Sequence, residues 1–251
     1  MSDKEKTREK ASDRAERLLI EGIVDGTYPA NSDLPGERDL SKELGVGRPA
    51  LREAVQRLSR DGWLTIRQGK PTRVNDYYFN GNANVLVKLL HSDAMLVSDV
   101  MPHLLEVWAL MAPAYTRTAV QRDATAVANL LYGHQGLADR PVPYARAQWR
   151  LHGLLIEKSG NPIYGLILNS FQDFFNRLAV AYYAGPGPRT EARIFWDMLY
   201  DAAFLEDPNK AEEVMAEQMK LFQTHWQAMP LERLSEMTFI ESPSSNGNQQ
   251  S

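Results

Sequence analysis

A mostly α-helical chain is the fold class that the sequence predicts: an N-terminal winged helix-turn-helix, its wing a small β-hairpin, followed by a C-terminal antiparallel α-helical bundle. Three observations predict it. Gly45-Val46-Gly47 separates two short helical patterns, strand-like runs at 63–66 and 72–74 flank a turn, and apolar residues recur at helical spacing from residue 85 to 228. At 251 residues with 43% hydrophobic content, the chain is long enough to build two cores. The expected organisation is a charged flexible N-terminus over 1–11, a winged-helix unit over 12–76, a linker over 77–84, a second helical unit over 85–228 and a mostly disordered tail over 229–251.

The first helix is expected from a Ser12 cap to Asp25, with Ala15, Leu18, Leu19 and Ile23 on one face and Gly26 ending it. After a loop containing Pro29 and Pro35, Glu37 to Leu44 forms a short second helix and Pro49 to Asp61 a third. Pro49 suits a first helical position, where its missing N–H costs nothing. Ala50, Leu51, Ala54, Val55 and Leu58 make the third helix's apolar face, while Arg48, Arg52, Gln56 and Arg60 fall four apart on another. Trp63 to Ile66 and Thr72 to Val74 then flank Arg67-Gln68-Gly69-Lys70-Pro71, which reads as a hairpin wing. A helix fits the major groove of duplex DNA, arginines on it can pair with guanine O6 and N7, and a glycine tip lets backbone approach the minor groove.

Asn80-Gly81-Asn82 marks the linker. Beyond it, helices are expected over 99–122 with a bend near Pro113, and over 123–137, 142–158, 162–184, 189–205 and 208–228. Two apolar stripes are candidates for core packing or for the wall of a ligand cavity. One runs Ile163, Ile167, Phe171, Phe174, Leu178, Tyr182; the other runs Ala211, Met215, Met219, Phe222, Trp226. Periodicity does not separate these readings.

Composition excludes several functions. Without cysteine there is no disulfide, thiolate metal site or cysteine nucleophile. The greasiest stretch, 94–115, is interrupted by Asp99, His103 and Glu106, and the first ten residues are charged, so neither a membrane span nor a secretion signal is expected and the chain reads as cytoplasmic. The net charge of −4 conceals a basic stretch over 44–75, where Arg48, Arg52, Arg57, Arg60, Arg67, Lys70 and Arg73 face only Glu53 and Asp61, a candidate polyanion-binding surface.

The segment LPGERDLSKELGVGRPALREAVQRLSRDGWLTIRQGKPTRVN, together with SGNPIYGLILNSF, resembles the GntR superfamily of bacterial regulators, and within it the FadR branch. The resemblance runs from about Ser12 to Trp226. It implies a homodimeric regulator of fatty-acid metabolism that binds a double-stranded DNA operator and is released by long-chain fatty acyl-CoA, an effector rather than a cofactor. The matching DNA-contacting positions are Arg38, Arg48, Arg52 and Gly69. Gly47 and Pro49 stand where the branch has hydroxyl-bearing residues, and Gln68 replaces a wing histidine. Arg57 and Arg60 are expected to face phosphate or solvent.

For the ligand, the resemblance implies Tyr182 and Trp226. Met219 and Phe222 replace smaller residues near the ligand region, and Trp108 occupies an arginine position. Arg189, Arg193 and Lys220 are candidates for the CoA phosphates on charge alone. A related branch binds a metal through an aspartate and three histidines, but its positions fall here on Gln148, His152, Phe195 or Trp196, and Gln218, so no metal is expected. The alternatives are a GntR-type regulator with another effector, such as an organic or sugar acid, and an acyl-CoA-handling enzyme fused to a winged helix. No acid–base or nucleophilic constellation supports the enzyme.

Overall fold

In the computed structural model, residues 9–90 and 94–228 are described, with side chains from 99 onward in the second stretch; the expected tail and most of the expected flexible N-terminus lie outside the described residues. Helix α1 (Ala11–Val24) buries Ala15, Leu19 and Ile23, but Ser12 does not cap it: Lys10 holds the N-cap position and Ser12 is buried on the first turn. Helix α2 (Glu37–Glu43) and helix α3 (Arg48–Asp61) enclose the glycine turn. α3 begins one residue earlier than expected, with Gly47 at its N-cap, and it buries Leu51, Ala54 and Leu58.

Gly62 ends α3 in the left-handed conformation (φ 95°), and a Cβ there would lie 2.3 Å from the Asn80 carbonyl oxygen. The chain passes into β1 (Leu64–Thr65), which pairs antiparallel with β2 (Arg73–Val74) in the register Leu64 to Val74 and Thr65 to Arg73. The hairpin is shorter than the expected strands. A further bridge from Asp33 to Arg73 fastens the loop after α1 to it. Trp63, fully buried, lies beneath with its ring 4.8 Å from that of Tyr77.

The expected linker contains regular structure: α4 (Tyr77–Asn80), and α5 (Ala83–Leu90), which starts inside it. The chain divides into two units between Lys88 and Leu89. Within the first, charge holds the helices together. Arg57 on α3 reaches Asp13 (2.9 Å) and Glu16 (3.1 Å) on α1, and Lys88 joins Glu16 (2.6 Å) to Asp61 (2.5 Å). Burial opposes ionisation of Asp61, but the Lys88 ammonium and the Asn84 amide outweigh it and hold the carboxyl below its ordinary range.

The second unit is helical. α6 (Ala94–Tyr132) runs helical through Pro113 and is broken at Asp123 (φ −155°, ψ 63°), whose carboxylate accepts from the Ala126 N–H and restarts it. A 3₁₀ turn (Gly133–Gly136) leads to α7 (Pro141–Ser159). The helix expected over 162–184 is two: α8 (Pro162–Asn169), capped by the Asn161 side chain, and α9 (Gln172–Tyr182), parted at Ser170 and Phe171. The first stripe therefore does not share one face; Ile163 is exposed while Phe174 is buried. α10 (Pro186–Phe204) starts earlier than expected because Pro186 takes its first turn, and α11 (Pro208–Gln227) is capped by Asp207. Among the described residues no helix is long and apolar enough to cross a membrane.

Candidate functional site

On the first unit, the side of α3 opposite Leu51, Ala54 and Leu58 carries Arg48, Arg52, Gln56 and Arg60, all exposed. Gly47 and Pro49 are exposed at the helix start, and Arg48 makes no ion pair among the described residues. Arg52 donates from Nε to Glu37 on α2 at 2.8 Å, with two-thirds of its side chain still exposed. Such a solvent-screened surface pair adds little to stability and exchanges readily for another acceptor. Arg38 is likewise exposed and leans on Asp39 at 3.2 Å. At the wing tip Gln68, Gly69 and Lys70 are exposed, and Gly69 takes φ +70° with open space around it, so its backbone stands bare.

Two cations of the basic stretch are turned to structural use. Arg57 does not face phosphate or solvent as expected: it is largely covered, pointed at the α1 carboxylates. Arg67 braces the wing through Asp33 (2.5 Å) and the Pro71 carbonyl (3.1 Å). Spacing along α3 alone does not show which way Arg57 turns; the approach of α1 decides it.

The second unit contains a small apolar cavity. α6 contributes Leu105 and Trp108, and α7 contributes Gln148. Phe175, Leu178, Ala179 and Tyr182 come from α9 with the adjoining Tyr183, and Phe222 and Trp226 from α11. The structure thus brings Tyr182, Phe222 and Trp226 together, the rings of Tyr182 and Phe222 lying 5.1 Å apart. The Tyr182 hydroxyl is hydrogen-bonded to His225 Nδ1 at 2.8 Å, and burial beside Glu191 raises its pKa.

Two expected ligand residues are placed elsewhere. Met219 packs in the core and is not among the lining residues. Arg189 is committed to the chain: Nη1 donates to the carbonyls of Tyr183, Ala184 and Gly185, and Nε to Asp139 at 2.8 Å. It closes the exposed carbonyls after α9 and has no donor fork left for a phosphate. Arg193 is tied to Asp139 and Tyr144, while Lys220 is exposed beside Glu217.

Behind the cavity runs a buried polar string. Trp196 Nε1 donates to Gln148 Oε1 (3.1 Å), so the Gln148 amide N–H₂ faces His152 Nε2 (3.0 Å). That nitrogen must accept, which leaves the proton on Nδ1, pointing at Tyr115 Oη (2.6 Å). Trp108 Nε1 donates to the same oxygen at 3.0 Å. Burial pushes the His152 pKa down to about 3 and keeps the ring neutral. Among the described residues no three His, Asp or Glu side chains converge as metal ligands; Gln148 and His152 bond to each other.

A winged helix presenting arginines, in one chain with a helical unit that contains an apolar cavity, defines the class of DNA-binding transcriptional regulators. Residues 11–74 match the family model for bacterial regulatory proteins of the gntR family, and 75–238 match the FadR C-terminal domain. The chain belongs to the FadR family of GntR regulators. It is 38% identical over 189 residues to the fatty acid metabolism regulator protein of Edwardsiella ictaluri, covering 75% of this chain and 79% of that one. It is 37% identical over 185 residues to the protein of the same name from Escherichia coli, covering 74% and 77%. Among solved structures, one described as Lar, which controls expression of the Listeria monocytogenes agr system and mediates virulence, matches with a TM-score of 0.51 at 18% identity, over 91% of this chain and all of that one. That likeness concerns the fold alone.

Leu105, Trp108, Gln148, Phe175, Ala179 and Tyr183 line the cavity without having been singled out as ligand residues. Trp108 and Gln148 stood out only as departures from family patterns, and nothing in the spacing of the others distinguishes a lining residue from a core one.

Proposed function

We propose that the protein regulates fatty-acid metabolism in the cytoplasm by binding a pseudo-palindromic operator as a homodimer and leaving it when a long-chain acyl-CoA occupies the helical unit. The observation that carries the reading is the pairing, in one chain, of exposed Arg48 and Arg52 on α3 with an apolar cavity lined by Tyr182, Phe222 and Trp226. Arg48 and Arg52 read guanine edges in the major groove, Arg52 exchanging Glu37 for the base. Arg38, Arg60 and Lys70 hold phosphates, and the wing tip at Gln68 and Gly69 lies along the minor groove. Gly47 and Pro49 bring the start of α3 close to the backbone without adding hydroxyl contacts. The protein acts by binding and not by turnover.

Acyl-CoA works by population shift: it favours an arrangement of the helical unit in which the two DNA-reading heads of the dimer no longer fit one duplex. By reciprocity, operator DNA weakens acyl-CoA binding by the same factor. An organic or sugar acid as effector is less well supported, since among the described residues no Arg, Lys or His lines the cavity to meet a carboxylate.

The test is to enrich duplexes from a random pool with purified protein, then challenge the bound complexes with acyl-CoAs, free CoA and organic acids. A palindromic consensus released by oleoyl-CoA but not by free CoA or the acids is expected; release by none of the thioesters overturns the effector assignment. Trp226→Ala is expected to hold the operator yet ignore oleoyl-CoA, and unchanged release would remove Trp226 from the site.

A further inference from the structure

The apolar space of the helical unit is divided. A second small hollow lies between α6, α8 and α9, and it shares Trp108, Phe175 and Leu178 with the cavity already described. Those three side chains form a partition with empty apolar space on both faces. The first cavity is half-exposed at Tyr182 and Phe222, while Leu105, Trp108 and Phe175 are buried at its wall. The second hollow is lined otherwise by apolar side chains such as Met101, Met111 and Phe171.

Trp108 is the part of the partition that cannot swing aside. Its indole N–H is bonded to Tyr115 Oη, which is held in turn by His152, Gln148 and Trp196. Its ring lies 4.9 Å from the His152 ring and meets Phe175 edge-on at 4.8 Å. Rotating the indole would strand a buried donor and leave Tyr115 short of a partner, both unfavourable in an apolar interior.

We infer that Trp108 is the chain-length stop of the effector site: an acyl group entering beside Tyr182 and Phe222 ends against the indole, and the hollow beyond it is closed to the chain. The inference rests on the acyl-CoA reading of the cavity and narrows it, because methylenes that would extend past Trp108 find no apolar wall and add no affinity. Each methylene that does find one tightens binding by about fourfold. A stop therefore shows as a plateau when affinity is plotted against chain length.

The experiment is isothermal titration calorimetry of the full-length protein, wild type and Trp108→Ala, with octanoyl-, lauroyl-, palmitoyl- and stearoyl-CoA. In the wild type, affinity is expected to climb and then level off; in Trp108→Ala the climb is expected to continue to longer chains, at about fourfold per added methylene. Leu178→Ala thins the same partition without touching the buried hydrogen bonds, so it carries the same expectation if Trp108→Ala fails to fold. A loss of affinity from general loosening would lower all four thioesters together and leave the plateau where it was. An unmoved plateau in both variants, or a wild-type climb without a plateau, overturns the stop while leaving acyl-CoA as the effector. Absence of binding by every thioester to every protein overturns the effector reading, and the stop with it.

Discussion

The clearest quantitative consequence of the buried polar string concerns acid. His152 is fully buried, with Gln148 and Tyr115 on its two ring nitrogens, and burial lowers its pKa from the ordinary 6.5 to about 3. The unfolded chain takes up a proton on this ring near pH 6.5, whereas the folded chain refuses it until about pH 3. The stabilising contribution is therefore complete above about pH 6.5 and is lost as pH falls from there towards about 3. At about pH 4.5, two pH units into that window, the loss is on the order of 3 kcal/mol.

Urea unfolding of wild type and His152→Phe at about pH 7, 5.5 and 4.5 measures it. The variant is expected to be less stable at pH 7, because Tyr115 and Gln148 lose a partner, but its stability should fall with acid by about 3 kcal/mol less than that of the wild type. His134, lowered to about 4 by burial and by Arg150, contributes in the same direction, but it is present in both proteins and cancels in the comparison. Asp61, Asp123 and Asp139, held below their ordinary range, lose their contribution only as pH falls through their lower folded pKa values, towards the acid end of the window. Equal pH slopes for the two proteins would refute the assignment of His152 as a neutral buried ring.

Three further outcomes follow from the winged-helix unit. Arg48→Ala or Arg52→Ala should cost about 1–3 kcal/mol of operator affinity and relax specificity, with no change in melting temperature; wild-type binding in a mobility-shift titration at fixed salt would remove α3 from the groove. Arg57→Ala should do the reverse, lowering unfolding free energy by about 1–2 kcal/mol because Asp13, Glu16 and Glu53 are left without their shared cation, and unaltered chemical denaturation would show the cluster to be energetically idle. Gly62→Ala should destabilise by about 1–3 kcal/mol or more, since it sets a Cβ against the Asn80 carbonyl at a positive φ; an unchanged denaturation midpoint would mean that this backbone approach is slack.

Much of the winged helix was legible because its signals are local. Leu51, Ala54 and Leu58 mark the buried side of α3 by spacing alone, and Gly69 sits where a tight tip needs a positive φ. The division of 162–184 into α8 and α9 was not legible, since neither glycine nor proline marks Ser170 and Phe171 and the helical pattern reads straight through them. In the expected linker Asn80-Gly81-Asn82 does turn the chain, and Tyr77–Asn80 on one side and Ala83 on the other are helical, which no spacing in so short a stretch displays. The cavity depends on residues from α6, α7, α9 and α11 that are far apart in the chain, so no window of sequence displays it. Arg189 illustrates the same limit for charge. A cation near a ligand region suggests a phosphate partner until the three carbonyls that occupy it are seen.

The string from Trp196 to Trp108 has a grammar with consequences for anyone redesigning this interior. Both indoles can only give a proton, so the donors run inward from each end and meet at Tyr115 Oη, with Gln148 and His152 each held to one orientation by Trp196. Replacing Gln148 by glutamate would break that order at its centre: a carboxylate would welcome Trp196 but would demand a proton from His152 Nε2, turning the imidazole into its other tautomer or into a cation locked in an ion pair. Residues 108, 115, 148, 152 and 196 behave as one indivisible unit, and substitutions there will succeed or fail as matched sets.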